Sequence, residues 1–354
     1  MLFDFNPFII ASRSDDRDTV PLSLLVSSVW VFARHNMGLL SRFFGYTHTS
    51  SENVLVANPL INTPLSLQVL FSDTFDIDDA DFIKAFRAYH SSLAKASFET
   101  DERLIQQSSL IGLLGWGEHV IQIVGCDYPM PAENVESCIT TAHYGPALKD
   151  AARLNQSHVL LYYRGYEINP LKQYAALALV AGFFTYFGAI VITNENAYTS
   201  FPAPELSLHT RGQQTDGNMI VQLETLPLLL LYCGFVEYDV AGNNGVCIRT
   251  YGAAQLGLPD LATWVRDHST SQQIFDMFSM IFVYLLASGA TLSEGHTMQV
   301  GDERFIKLRC AAPHEYYLDS DTPLFVTEWI DASAVNPNDA PPSILPSTAN
   351  TIAK

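Results

Sequence analysis

The stretch NPLKQYAALALVAGFFTYFGAIVITN, residues 169–194, decides the fold. From Tyr174 to Ile192 it carries no charge over a length close to that of a bilayer-spanning helix, so it admits either a membrane segment or a buried helix leading into a buried strand. The punctuation selects the second reading. Asn169 followed by Pro170 is an N-cap with proline at the first helical position. Gly182 and Gly188 interrupt the apolar run, and the AIVIT that follows Gly188 is strand material. The expectation is a soluble protein without a transmembrane segment.

Upstream, VLVANPL (54–60) and LSLQVLFS (65–72) read as strands. In DIDDADFIKAFRAYHSSL the apolar Phe82, Ile83, Phe86 and Tyr89 recur at helical spacing, with acids crowding the first turn where the helix dipole favours them. SLIGLLGWG and HVIQIVGCDYP form a hairpin pattern, helices follow over 132–143 and 146–155, and HVLLYYRGY reads as another strand. The order strand, helix, strand, strand, helix, strand predicts a ferredoxin-like split βαβ half over residues 53–168. A second α+β half spans 169–330. There, 199–218 reads as a connector and LPLLLLYCGFVEYDVAGNNGVCIRTYG as two strands joined by a turn at 241–245. SQQIFDMFSMIFVYLLAS is a helix stopped by Gly289, and TLSEGHTMQVGDERFIKLRCA is a closing hairpin. The predicted class is α+β, with antiparallel or mixed sheets covered by helices. Residues 1–52 form an N-terminal extension with an apolar helix, and the proline-rich 331–354 is a disordered tail.

With 354 residues, 48% of them apolar, the chain has material for a substantial core despite a net charge of −18. That surplus of carboxylates repels phosphate backbones and anionic headgroups, which disfavours nucleic acid and membrane surfaces and favours a basic protein partner. Five scattered cysteines never reach C-x-x-C spacing, and MLFDFNPFII lacks the basic start of a signal peptide, so a reducing, cytoplasmic location is expected.

Two local patterns stand out in the second half. One is Arg249-Thr250-Tyr251-Gly252 with Leu256-Gly257-Leu258-Pro259-Asp260-Leu261 after it; the other is Ser293-Glu294-Gly295-His296-Thr297. Together with Tyr128-Pro129-Met130-Pro131 and the helix after Asn169-Pro170, they resemble the uncharacterised bacterial family named domain of unknown function 4261, over about residues 54–310. Family members carry an acid soon after the proline-aspartate pair and a D-G-x-T tetrad. Here Ala262 and Thr263 follow Asp260, and Glu294 stands in the tetrad. The resemblance implies a bacterial source and a compact α/β body, and no activity.

Gly252, Gly257 and Gly295 are what tight loops require, because glycine accepts backbone angles closed to other residues. Around them Arg249, Thr250, Asp260, Glu294, His296 and Thr297 form a mixed polar set suited to a partner's side chain or a small polar ligand. His296, His314, Asp302 and Glu303 have no metal-ligand spacing, and no G-x-S-x-G, Walker or dinucleotide motif occurs, so neither a metal, a cofactor nor a catalytic residue is predicted. The function expected is non-enzymatic binding of another protein, in the manner of an immunity protein, adaptor or secretion- or toxin-system accessory. Two alternatives stand beside it. One is an enzyme or ligand binder with a pocket around Arg249, Asp260, Glu294 and His296; the other is a subunit of a homo-oligomeric assembly.

Overall fold

A computed structural model describes residues 55–74, 77–100, 110–207, 219–240, 244–301, 303–335 and 339–340. The expectations for residues 1–52 and for most of the 331–354 tail lie outside these residues. The first stretch contains β1 (Ser66–Phe71), α1 (Asp79–Tyr89), β2 (Ser97–Thr100), β3 (Ile111–Trp116), β4 (His119–Cys126), α2 (Ala132–Ile139), α3 (Pro146–Arg153) and β5 (Ser157–Tyr163). Then come α4 (Pro170–Phe183), β6 (Ala189–Asn194), β7 (Thr199–Pro202), α5 (Ala203–Leu206), α6 (Met219–Glu224) and α7 (Leu228–Leu231). Last are β8 (Gly234–Asp239), β9 (Val246–Tyr251), β10 (Asp260–Val265), α8 (Ser271–Ser288), β11 (Thr297–Gln299), β12 (Phe305–Arg309) and β13 (Leu324–Ile330). The α+β class is as expected.

Local signals set the helix ends. Asp78 caps α1 by accepting from the amides of Ala80 and Asp81 at 2.9 and 3.1 Å. Asn169 caps α4 by accepting from Leu171 N at 2.9 Å, with Pro170 at the first helical position. Every residue of α4 from Tyr174 to Phe183 is buried. The apolar run then turns at Gly188, in the left-handed region at φ 88°, and continues as β6. No helix among the described residues is long and apolar enough to cross a membrane.

The strands form two sheets, and β6 belongs to the first. The first is antiparallel throughout, in the order β2-β3-β4-β5-β1-β6-β7. Its inner face (Leu67 and Val69 of β1, Ile121 and Ile123 of β4, Val159 and Leu161 of β5) packs on α4. The second is mixed, in the order β11-β12-β13-β10-β9-β8, with β10 and β13 parallel. Its inner face, including Ile248, Leu261, Ile306 and Leu308, joins the same core cluster through Ile274, Phe278, Ile281 and Phe282 of α8. All described residues fall in one compact unit.

Several expectations change. The first sheet is not ferredoxin-like: a split βαβ places one strand between its two parallel strands, whereas β1 and β2 run the same way with β5, β4 and β3 between them. β6 and β7 lie beyond the expected 168/169 boundary yet pair into the first sheet, so the passage between the sheets falls after Pro202. The described part of VLVANPL, residues 55–60, is not a strand, because Asn58 turns the chain by accepting from Leu60 N through its side chain at 3.0 Å. Within the expected connector 199–218, β7 and α5 are regular, and LLLL of 228–231 is a helical turn rather than a strand. β2, β10 and β13 have no counterpart in the sequence reading.

Candidate functional site

The predicted polar residues fall into two separate groups. The first surrounds the β9–β10 connection, where Gly252 and Gly257 adopt φ 80° and 73° on either side of a short helical turn. Thr250 Oγ1 donates to Asp260 Oδ1 at 3.1 Å and accepts from Leu261 N at 2.8 Å. Asp260 Oδ1 also accepts from Ala253 N at 3.2 Å, and its Oδ2 from Thr322 Oγ1 at 3.2 Å. Both side chains are buried, Asp260 to 2% exposure. Burial pushes the Asp260 carboxyl above the ordinary range, against the pull of its donors and of Arg249. The pair thus clamps the 252–258 loop and the segment leading into β13.

Arg249 lies opposite Ala262 in the register and is itself buried. Its guanidinium sits 4.2 Å from the centroid of the Tyr251 ring, and Nη1 donates to the Asp319 carbonyl at 3.2 Å. Its Nε finds no hydrogen-bond partner among the described residues.

The second group is the turn between α8 and β11. His296 Nδ1 accepts from Ser293 N at 3.2 Å, Glu294 Oε1 accepts from Cys310 N at 3.4 Å, and Gly295 is left-handed at φ 88°. Thr297 opens β11, paired with Lys307. β12 and β13 separate β11 from β10, which at ordinary interstrand spacing is about 14 Å. Among the described residues no hydrogen bond or ion pair joins Glu294 or His296 to Arg249 or Asp260. The expected common rim is therefore not assembled. The two sequence patterns lie on separate strands of one sheet.

A third constellation escaped the sequence reading. Arg309 donates to both carboxylate oxygens of Glu315, at 2.6 and 2.7 Å, and through Nε to Glu328 at 2.6 Å. The guanidinium holds the buried Glu315 carboxyl below the ordinary range. No group of three His, Cys, Asp or Glu side chains among the described residues is placed to hold a metal ion.

All of these residues but Glu328 lie in a segment with a known pattern. Residues 249–323 match the family described as Domain of unknown function (DUF4261). The DUF4261 match covers both second-half patterns, from Arg249 through Thr297, and stops at Pro323 just before β13; residues 54–248 lie outside it. No curated protein and no solved structure matches the chain.

Within the DUF4261 segment, α8 has a second apolar face. Ile274, Phe278, Ile281, Phe282 and Leu285 enter the core. Met280, Val283, Tyr284 and Leu286 face out, Met280 with 52% and Val283 with 61% of its surface exposed. The sequence signal is a helix apolar all round, which at a molecule's surface leaves one face uncovered.

Proposed function

We propose that the protein acts by binding another protein, basic in character, with the outward face of α8 as the apolar centre of the contact. The observation that carries this reading is the run of exposed Met280, Val283, Tyr284 and Leu286 on a helix whose other face is anchored in the core. The net charge of −18 adds long-range attraction for a basic surface, which raises the association rate and selects among partners. An adaptor, an immunity protein or an accessory factor of a secretion or toxin system works in this way.

The test compares the full chain with a Met280→Ser/Val283→Ser double variant in affinity capture from the native cell extract, at low and at high salt. A partner that is retained by the unaltered chain, released by salt and lost from the variant is the expected result. Equal capture by both proteins would overturn the assignment of the contact to α8. A dimer of the chain itself, dissolved by the same two substitutions, would put a second copy in place of a different partner.

A further inference from the structure

The loop between α2 and α3 sends one side chain across to α8. His143 sets its ring against Phe235 of β8 and Phe275 of α8, at centroid distances of 6.1 and 6.3 Å. Those two rings meet each other edge-on at 5.3 Å, so the three form one aromatic contact near the start of α8. On either side of His143 the loop is tied down. Thr141 Oγ1 donates to the Tyr198 carbonyl at 2.6 Å, the Tyr144 hydroxyl bonds Ser200 Oγ of β7 at 2.8 Å, and Lys149 Nζ of α3 donates to the Thr140 carbonyl at 3.0 Å. The His143 ring is the part of this loop that can leave by side-chain rotation while the backbone stays anchored.

The surroundings suit a neutral ring. Glu237 faces it from β8 and Lys149 from α3. Glu237 is already taken: its Oε2 accepts from His268 Nδ1 and from Ser271 Oγ, both at 2.6 Å, which fixes the first turn of α8 to β8. From α8 itself comes Phe275, whose neighbour Asp276 is exposed and accepts from Gln272 at 2.9 Å. Burial holds the His143 imidazole below its ordinary range, with Glu237 pulling the other way and Lys149 adding to the shift. The neutral ring is at home between the two phenyl groups, and the imidazolium is better placed in water.

We infer that His143 is a proton-operated plug: on acidification its ring leaves Phe235 and Phe275, and the first turns of α8 loosen from the α2–α3 hairpin. An imidazole that has left the slot titrates at about 6.5, above the value of the packed ring. The packed form is therefore fully favoured at neutral pH and loses ground as pH falls from about 6.5 toward the lowered value. While the packed ring stays neutral, the released form gains about ten-fold in population between pH 7.5 and 5.5. Met280, Val283 and Tyr284 lie further along the same helix, so the plug regulates the contact surface of α8. That consequence rests on the reading of α8 as a docking helix; the plug itself does not.

The experiment is hydrogen–deuterium exchange of the full chain alone at pH 7.5 and 5.5, read by mass spectrometry over residues 271–280 and corrected for intrinsic exchange. Beside it the His143 ring is titrated by NMR, its signal assigned by comparison with His143→Gln. The expected result is exchange about ten-fold faster at the lower pH, with a His143 ring that titrates below about 6.5. His143→Phe keeps an aromatic ring in the slot and takes no proton, so its corrected exchange over 271–280 is the same at both pH values. Three results would overturn the plug: corrected exchange unchanged by pH in the unaltered chain, an equal acid response in His143→Phe, or, where that variant does not fold, a His143 ring titrating at or above about 6.5. No partner enters these measurements, so failure of the docking role of α8 would leave them unchanged.

Discussion

Asp260 and Glu315 are two buried carboxylates of the DUF4261 segment, and the chain handles them in opposite ways. Asp260 is surrounded by neutral donors: two threonine hydroxyls and a backbone amide. Glu315 receives both arms of a guanidinium and the amide of Ala312. Desolvation wins at Asp260 and its carboxyl is raised; the cation wins at Glu315 and its carboxyl is lowered. The difference teaches that hydrogen bonds from neutral groups position a buried acid without offsetting its desolvation, even with Arg249 nearby, whereas a bidentate guanidinium more than offsets it. Asp260 therefore acts as a loop clamp, and Glu315 as one partner in an electrostatic tie between β12 and the segment before β13.

The contrast breaks most severely with Asp260→Ala, which strips the acceptor from Thr250, Ala253 N and Thr322 together. At about 1 kcal/mol for each donor left without its partner, the loss of stability is about 3 kcal/mol. Urea unfolding followed by far-UV circular dichroism would show this as a lower midpoint at unchanged slope. A loss under about 1 kcal/mol would mean that water replaces the carboxylate and that the clamp holds nothing.

Glu315→Gln comes next. The substitution turns a bidentate charge-assisted pair into a clash of amide and guanidinium donors, but Arg309 is partly exposed and keeps Glu328, so about 1.5 kcal/mol at neutral pH is expected. The acid limb of the stability profile adds a second readout. Because the folded carboxyl titrates below its unfolded counterpart, its contribution is present above the ordinary carboxylate range and disappears as pH falls through the lowered value. In the variant that part of the acid limb flattens. An acid limb as steep as in the unaltered chain would show that Arg309 does not stabilise the Glu315 anion.

These two carboxylates also mark where sequence reading stops. Asp78, Asn169-Pro170 and Gly289 announce helix ends because a cap is decided within one turn of chain. The alternation S-L-Q-V-L-F announces β1, yet not that Ser66 and Gln68 would be buried, since the strands paired beside them, β5 and β6, lie far along the chain. Strand order is illegible for the same reason: β13 lies parallel to β10, with α8 and two other strands between them in sequence, and β5 slips between β4 and β1. Thr250 and Asp260 lie at the two ends of one short loop and bond to each other. Glu294 and His296 belong to the other sequence pattern and bond to neither of them, and the Arg309–Glu315 pair is illegible in sequence because neither residue sits in a motif.

Asp260→Asn gives the smallest effect and the sharpest reading of the comparison. Asparagine keeps an oxygen for Thr250 and Ala253 N, and its amide nitrogen can donate to Thr322 Oγ1, so at acid pH, where Asp260 itself is protonated, the change in stability is within about 0.5 kcal/mol. The sign turns on titration. The folded Asp260 carboxyl lies above its unfolded value, so the unfolded chain releases its proton first and the unaltered protein loses stability as pH rises from the ordinary carboxylate range through the raised value. Asparagine has no proton to lose. Relative to the unaltered chain the variant therefore gains with rising pH over that window, opposite to Glu315→Gln, which loses ground as pH rises through the lowered window of Glu315. Parallel pH profiles of urea midpoints for the two variants, moving in the same direction, would show that the two buried carboxyls are not shifted in opposite directions.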